Sequence, residues 1–142
     1  MPSATHKTKV IFSVTNCICY DQRVLKMAET VSKLNCEITI IGRKSGDYCN
    51  PDSVPFRTVR FKMFFKKGFL FYKFFNIRLF IYLLFNKCDL LVSNDLDTLL
   101  PNFLVAKLKR MPLVYDSHEY FTEVPELHNR LFVKWVGRVL RK

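Results

Sequence analysis

The loop after the first apolar run contains no glycine. It reads Thr15-Asn16-Cys17-Ile18-Cys19-Tyr20. A dinucleotide fingerprint needs glycines there, for a tight turn and for close approach of backbone to pyrophosphate. Their absence argues against a classical NAD or FAD domain, and the lack of a Walker A sequence argues against nucleoside triphosphate hydrolysis. The cysteines, Cys17, Cys19, Cys36, Cys49 and Cys88, are odd in number and form no CxxC pair. Reduced structural thiols in a cytosolic protein are therefore expected instead of a disulfide framework. Cys17 and Cys19 have no second pair to complete a metal site, so no metal is expected. No apolar segment at the start, Met1 to Lys7, reads as a signal peptide. A transmembrane span is not expected either, because Lys73, Asn76 and Arg78 interrupt a stretch that would need about 20 apolar residues.

What is present bounds the class. A chain of 142 residues is one ordinary domain with room for a core. An apolar content of 49% with mixed charges reads as a folded globule. The net charge of +11 implies an acidic partner: phosphate groups, an anionic membrane surface or nucleic acid.

Strand and helix patterns alternate. Lys9 to Val14 reads as a first strand. Asp21 to Leu34 has helical spacing at Val24, Met27, Ala28, Val31 and Leu34. Cys36 to Ile41 reads as a second strand that Gly42 ends, and residues 43–56 as a loop. Arg57 to Phe61 is a short third strand, Lys66 to Asn86 a long helix, and Asp89 to Ser93 a fourth strand. Leu96 to Lys109 is helical, Pro112 to Tyr115 begins a fifth strand, and a last helix is expected from about Pro125. Near-continuous apolar strands between helices predict a doubly wound, three-layer α/β domain with a parallel sheet in order 3-2-1-4-5. The apolar residues Trp135, Val136, Val139 and Leu140 run to the end without a stop signal. The chain therefore reads as half of a larger protein, without its second domain.

In such sheets ligands bind at the carboxyl ends of the strands. Two strand ends are rich in polar groups: Ser93-Asn94-Asp95-Leu96-Asp97, and Tyr115-Asp116-Ser117-His118-Glu119. Each has a structural alternative. Ser93 or Asn94 would cap the next helix, with Asp95 and Asp97 in its first turn. Glu119, Glu123 and Glu126 would decorate an exposed turn. His118 gains weight as a site residue because this edge is expected to hold the ligand. Asp21 reads as an N-cap. Arg23 opposes the macrodipole of the same helix, so it pairs with Asp116, Glu119 or a bound phosphate, or is solvated.

Phe61 to Lys87 is the most unusual segment. Phenylalanines crowd it, Lys62, Lys66, Lys67, Lys73 and Arg78 punctuate it, and it holds no acid. Lys62, Lys66, Lys73 and Asn76 fall near one helical stripe. A basic aromatic helix reads as an interfacial element on anionic lipid, or as a core helix covering the sheet, with one face serving each role. Nucleic-acid binding would place such residues on an exposed sheet or groove, so it is not expected.

Taken in order, Asp21-Gln22-Arg23-Val24, Asn94-Asp95-Leu96-Asp97 and Tyr115-Asp116-Ser117-His118-Glu119 resemble the N-terminal domain of retaining GT-B-fold glycosyltransferases of the family 4 type. The resemblance covers about Lys9 to Arg138. It implies a Rossmann-like domain that shapes the acceptor side of a cleft, opposite a C-terminal nucleotide-sugar-binding domain. It implies His118 as the catalytic residue near the reacting sugar. Asn94, Asp95, Glu119, Arg23 and Asn16 would be substrate-binding. Many members carry a Gly-Gly pair in the first loop; here Thr15-Asn16 and Cys17-Ile18-Cys19 stand in its place. The implied activity moves a hexosyl group from a nucleotide-sugar, a substrate and not a resident cofactor, to a glycan or lipid-linked acceptor. The expected location is cytoplasmic, with Lys62, Lys66, Lys67, Lys73 and Arg78 at the inner membrane surface. A non-catalytic phospholigand-binding or membrane-docking module is the rival reading.

Overall fold

The structure is a computed structural model that describes residues 7–46 and 50–117. Its strands are β1 Thr8–Ser13, β2 Cys36–Arg43, β3 Arg57–Phe61, β4 Leu90–Ser93 and β5 Leu113–Tyr115. Its α-helices are α1 Gln22–Ser32, α2 Phe69–Phe85 and α3 Leu96–Lys109. The strands form one sheet in the order β3-β2-β1-β4-β5, and every pairing is parallel. The predicted topology is the observed one. The last predicted helix, Cys49, His118, Glu119, Glu123 and Glu126 lie outside the described residues.

Both faces of the sheet are covered, which is why its central strands are apolar at successive positions. Val10, Phe12, Ile38, Ile40 and Val92 point to one side and pack with Val24 and Ala28 of α1. Ile11, Ile41 and Leu91 point to the other and meet Phe71, Phe75, Leu79 and Leu83 of α2 with Val105 and Ala106 of α3. The α2 residues recur every fourth position, the period of one helical face. The Lys109 ammonium donates to the carbonyls of Leu83 and Asn86 at 2.7 Å each, so a cation from α3 satisfies open carbonyls at the end of α2.

Three readings need correction. Gly42 does not end β2 but lies inside it. A Cβ there would sit 2.7 Å from Ile18 Cγ1 and 2.8 Å from the Asn16 carbonyl oxygen. The glycine marks a close backbone approach, as an isolated strand glycine often does. Next, α2 starts at Phe69, not Lys66. Gly68, at φ 84°, adopts a conformation that side chains disfavour, and it separates a loop from the helix. Lys62, Lys66 and Lys67 are therefore off the helix, and the stripe joining Lys62 and Lys66 to Lys73 and Asn76 does not exist. Finally, Cys17, Cys36 and Cys88 are free, as expected, but Cys19 is disulfide-bonded.

Candidate functional site

The site is built from consecutive strand ends. After β1 the chain is clipped to β2: Val14 N–H donates to the Ile41 carbonyl at 2.9 Å, and Arg43 N–H to the Asn16 carbonyl at 3.2 Å. After β4, Asn94 N–H donates to the Ser13 carbonyl at 3.2 Å; after β5, Asp116 N–H donates to the Ser93 carbonyl at 2.9 Å. The parallel register thus carries the first loop, Asn94-Asp95 and Asp116-Ser117 to the same carboxyl edge.

A polar network sits beneath this edge. Ser93 Oγ and Thr98 Oγ1 are 2.7 Å apart, and Thr98 Oγ1 also donates toward the Ser13 carbonyl at 3.3 Å. Asn102 Nδ2 donates to the Thr98 carbonyl at 2.8 Å, and its Oδ1 lies 3.4 Å from Ser13 Oγ. All four side chains are buried. Satisfied buried networks of this kind fix local geometry, so β1, β4 and the start of α3 are held as one floor.

Two adjoining cavities open above it. The larger, about 530 Å³, is lined by Asn16, Cys17, Tyr20, Arg23, Arg43 and Asn94, among others. The smaller, about 280 Å³, is lined by Thr15, Asn16, Tyr72, Asn94, Asp95, Tyr115, Asp116 and Ser117. Asn16, Asn94 and Asp95 line both. Four of the predicted binding residues, Asn16, Arg23, Asn94 and Asp95, are thereby brought together. His118 and Glu119 follow Ser117, the last described residue, and lie outside the described part.

The side chains divide by role. Asp21 is the N-cap of α1 and accepts from Val24 N–H at 3.2 Å, the structural reading. Arg23 forms an ion pair with Asp116, joining the first turn of α1 to the end of β5. Capping does not account for Asn94. The N-cap of α3 is Asp95, not Ser93 or Asn94, and no side chain makes the cap bond. Asn94 is only 3% exposed. Its amide nitrogen lies 3.9 Å from Met27 Sδ, a weak acceptor, and its Oδ1 meets no hydrogen-bond donor among the described residues. A buried amide oxygen without a donor is costly, and this one borders both cavities.

Arg43 and Ser45, which line the larger cavity, and Tyr72, which lines the smaller, are not marked as site residues by the sequence patterns. A β2 that ends at Ile41 leaves Arg43 in a loop; the strand in fact runs to Arg43 and sets it at the ligand edge. Its guanidinium lies 5.5 Å from the centroid of the Phe71 ring, and Nη1 donates to the Lys66 carbonyl at 3.4 Å. Its Nε is buried without an acceptor, and no carboxylate pairs with it among the described residues.

No protein-family model matches the sequence, and no curated protein matches it. Solved structures do. A glycosyltransferase from Rickettsia africae aligns at 11% identity and TM-score 0.57, over 92% of this chain and 35% of that one. MurG from Acinetobacter baumannii aligns at 12% identity and TM-score 0.53, over 77% of this chain and 34% of that one. The C-terminal domain of the PF1911 hydrogenase from Pyrococcus furiosus aligns at 14% identity and TM-score 0.53, over 78% of this chain and 90% of that domain. The chain thus spans about a third of the length of the two glycosyltransferases it resembles. At these identities the likeness concerns the fold: a Rossmann-like α/β domain, with a five-stranded parallel sheet and flanking helices, matching domains of glycosyltransferases.

Proposed function

We propose that this chain is the N-terminal, acceptor-side domain of a retaining GT-B glycosyltransferase of the family 4 type. The full enzyme would move a hexosyl group from a nucleotide-sugar to a hydroxyl of a glycan or lipid-linked acceptor. The observation that carries this reading is Asn94. Its amide is buried at the meeting of two cavities, with an oxygen left for a donor such as a sugar hydroxyl.

The surrounding groups suit the chemistry. Glycosyl transfer passes through a cationic, oxocarbenium-like sugar as a diphosphate departs. Catalysis then needs a precisely placed acceptor and positive groups near the phosphate oxygens. Arg43 is a cation without a carboxylate partner among the described residues, whereas Asp116 already neutralises Arg23. Asn16 and Asp95 offer further polar contacts to a sugar. His118, directly after Ser117, would orient the sugar or share the acceptor proton. Arg23 would act indirectly, by holding Asp116 two residues before His118.

A second reading is a non-catalytic module that binds a phosphorylated ligand. It is favoured by Arg43, a cation at the strand-edge cavity with no carboxylate partner among the described residues. The test joins the chain to a nucleotide-sugar-binding domain and assays sugar transfer from a panel of nucleotide-sugars. Transfer that falls in Asn94→Leu and Arg43→Met supports the first reading. Ligand binding that needs both residues, without transfer from any donor, would favour the second.

A further inference from the structure

Helix α2 is apolar on the side it does not bury. At about 100° per residue, Leu70, Phe74, Ile77, Ile81 and Phe85 lie opposite the core residues Phe71, Phe75, Leu79 and Leu83. All five are exposed, Phe85 at 79%. A helix that is apolar all round normally has cover on every side. This one has the sheet and α3 on one side and none among the described residues on the other. The loop before it adds Phe64, 98% exposed, and Phe65, whose ring stacks on Phe74 at 5.4 Å. Lys62, Met63, Phe64, Phe65, Phe74 and Arg78 line a groove of about 580 Å³. Contiguous apolar surface of this kind marks a contact site.

Charge selects the occupant. Lys73 and Arg78 flank the apolar stripe on its two sides, and Lys62, Lys66 and Lys67 stand at its amino end. No acid occurs anywhere from Ser53 to Cys88. A second copy meeting this face across a two-fold axis would set these cations against themselves. The residues after Leu127 carry Arg130, Lys134, Arg138, Arg141 and Lys142 with no acid, so they would not neutralise it either. The helix, at 17 residues, is about 25 Å long, and no helix among the described residues is long and apolar enough to cross a membrane.

We propose that the outer stripe of α2 and the loop of residues 62–68 dock on an anionic lipid bilayer. Phe64, Phe74, Ile77 and Ile81 enter the headgroup–acyl boundary, and the flanking lysines meet lipid phosphates. The face adjoins the strand-edge site directly. Arg43 lines the larger cavity, bonds the Lys66 carbonyl and stacks on Phe71. Docking therefore holds the cavities beside the lipid surface, where a lipid-linked substrate would be presented. That last consequence rests on the glycosyl-transfer reading; the docking does not.

The experiment is co-sedimentation of the 142-residue chain with vesicles, without any sugar donor, so its failure is separate from failure of the transferase reading. Vesicles of phosphatidylcholine with phosphatidylglycerol should bind at least about tenfold more tightly than phosphatidylcholine alone, and most of that gain should vanish at about 0.5 M salt. Phe64→Ser with Ile77→Ser, and separately Lys66→Glu with Lys67→Glu, should each weaken binding about tenfold or more. Leu104→Ser, an exposed apolar position on α3, should leave it unchanged. Equal binding to neutral vesicles, or no binding, would overturn the proposal. So would a dimer that Ile77→Ser dissociates, found in a chain that ignores vesicles.

Discussion

Asn94 distinguishes a binding residue from a structural one at the scale of a single side chain. Its amide is desolvated, yet its oxygen has no donor among the described residues and its nitrogen only a sulfur. A structural asparagine recovers its desolvation through hydrogen bonds; this one does so poorly. Asn94→Leu, which keeps the branched heavy-atom skeleton, should therefore leave the thermal midpoint unchanged or raise it, while removing ligand recognition. A loss of more than about 1.5 kcal/mol in urea unfolding would place Asn94 in the structural network instead. Cys88 differs: it lines none of the cavities described above. Burial pushes its thiol above the ordinary value, Lys109 opposes that and Asp89 adds to it. The unfolded chain thus releases this proton at lower pH than the folded one, so the thiol costs stability as pH rises beyond the ordinary thiol range. Iodoacetamide should label Cys88 slowly at pH 8, and its rate should climb only well above that pH. Fast labelling at Cys88 itself in the folded chain at pH 8, located by peptide mapping apart from the free Cys17 and Cys36, would contradict the burial argument.

At the scale of elements, apolar periodicity was sufficient for most of the fold. The five strands and three described helices lie where their patterns put them, and the order β3-β2-β1-β4-β5 follows from handed crossovers. The errors are at two glycines, because a glycine letter does not state why it is there. Gly42 carries no turn; it admits the first loop against β2. Gly68 is a genuine break, and overlooking it gives α2 three residues, two of them lysines, that belong to a loop. The site was only partly readable for a related reason. Asn94 and Asp95 are clustered polar residues at a strand end, visible as such. Arg43 was hidden behind a misplaced strand boundary, and the buried Ser13–Ser93–Thr98–Asn102 network joins residues up to 89 positions apart. Gly42 offers a test of this coupling between element and site. In Gly42→Ala the methyl meets the Asn16 carbonyl, a backbone atom with little freedom to move. The variant should lose about 1–3 kcal/mol in denaturant unfolding, and the displaced loop should weaken ligand binding even where folding is complete. Wild-type stability and binding together would show that the loop yields freely.

At the scale of the molecule, the two adjoining polar cavities lie along one edge of one sheet, and in the proposed enzyme that edge forms a single wall of a cleft. The reaction needs a donor held opposite this wall, because an acceptor hydroxyl gains rate only when the sugar carbon is fixed against it. The 142-residue chain alone should therefore fold but give no sugar transfer from any nucleotide-sugar. Joined to a nucleotide-sugar-binding domain it should turn over, and His118→Ala in that protein should lower the rate by about 100-fold or more. The same substitution should hardly move the thermal midpoint, the outcome expected of a residue that acts on substrate and not on the core, which among the described residues is built from α1, α2, α3 and the sheet. Rate and midpoint measured side by side separate the possibilities. Clear turnover by the chain alone would mean that one wall suffices and that the two-domain reading is wrong. A rate loss matched by a fall in midpoint would make His118 a structural residue, and the search for the catalytic group would return to Asp95 and Arg43.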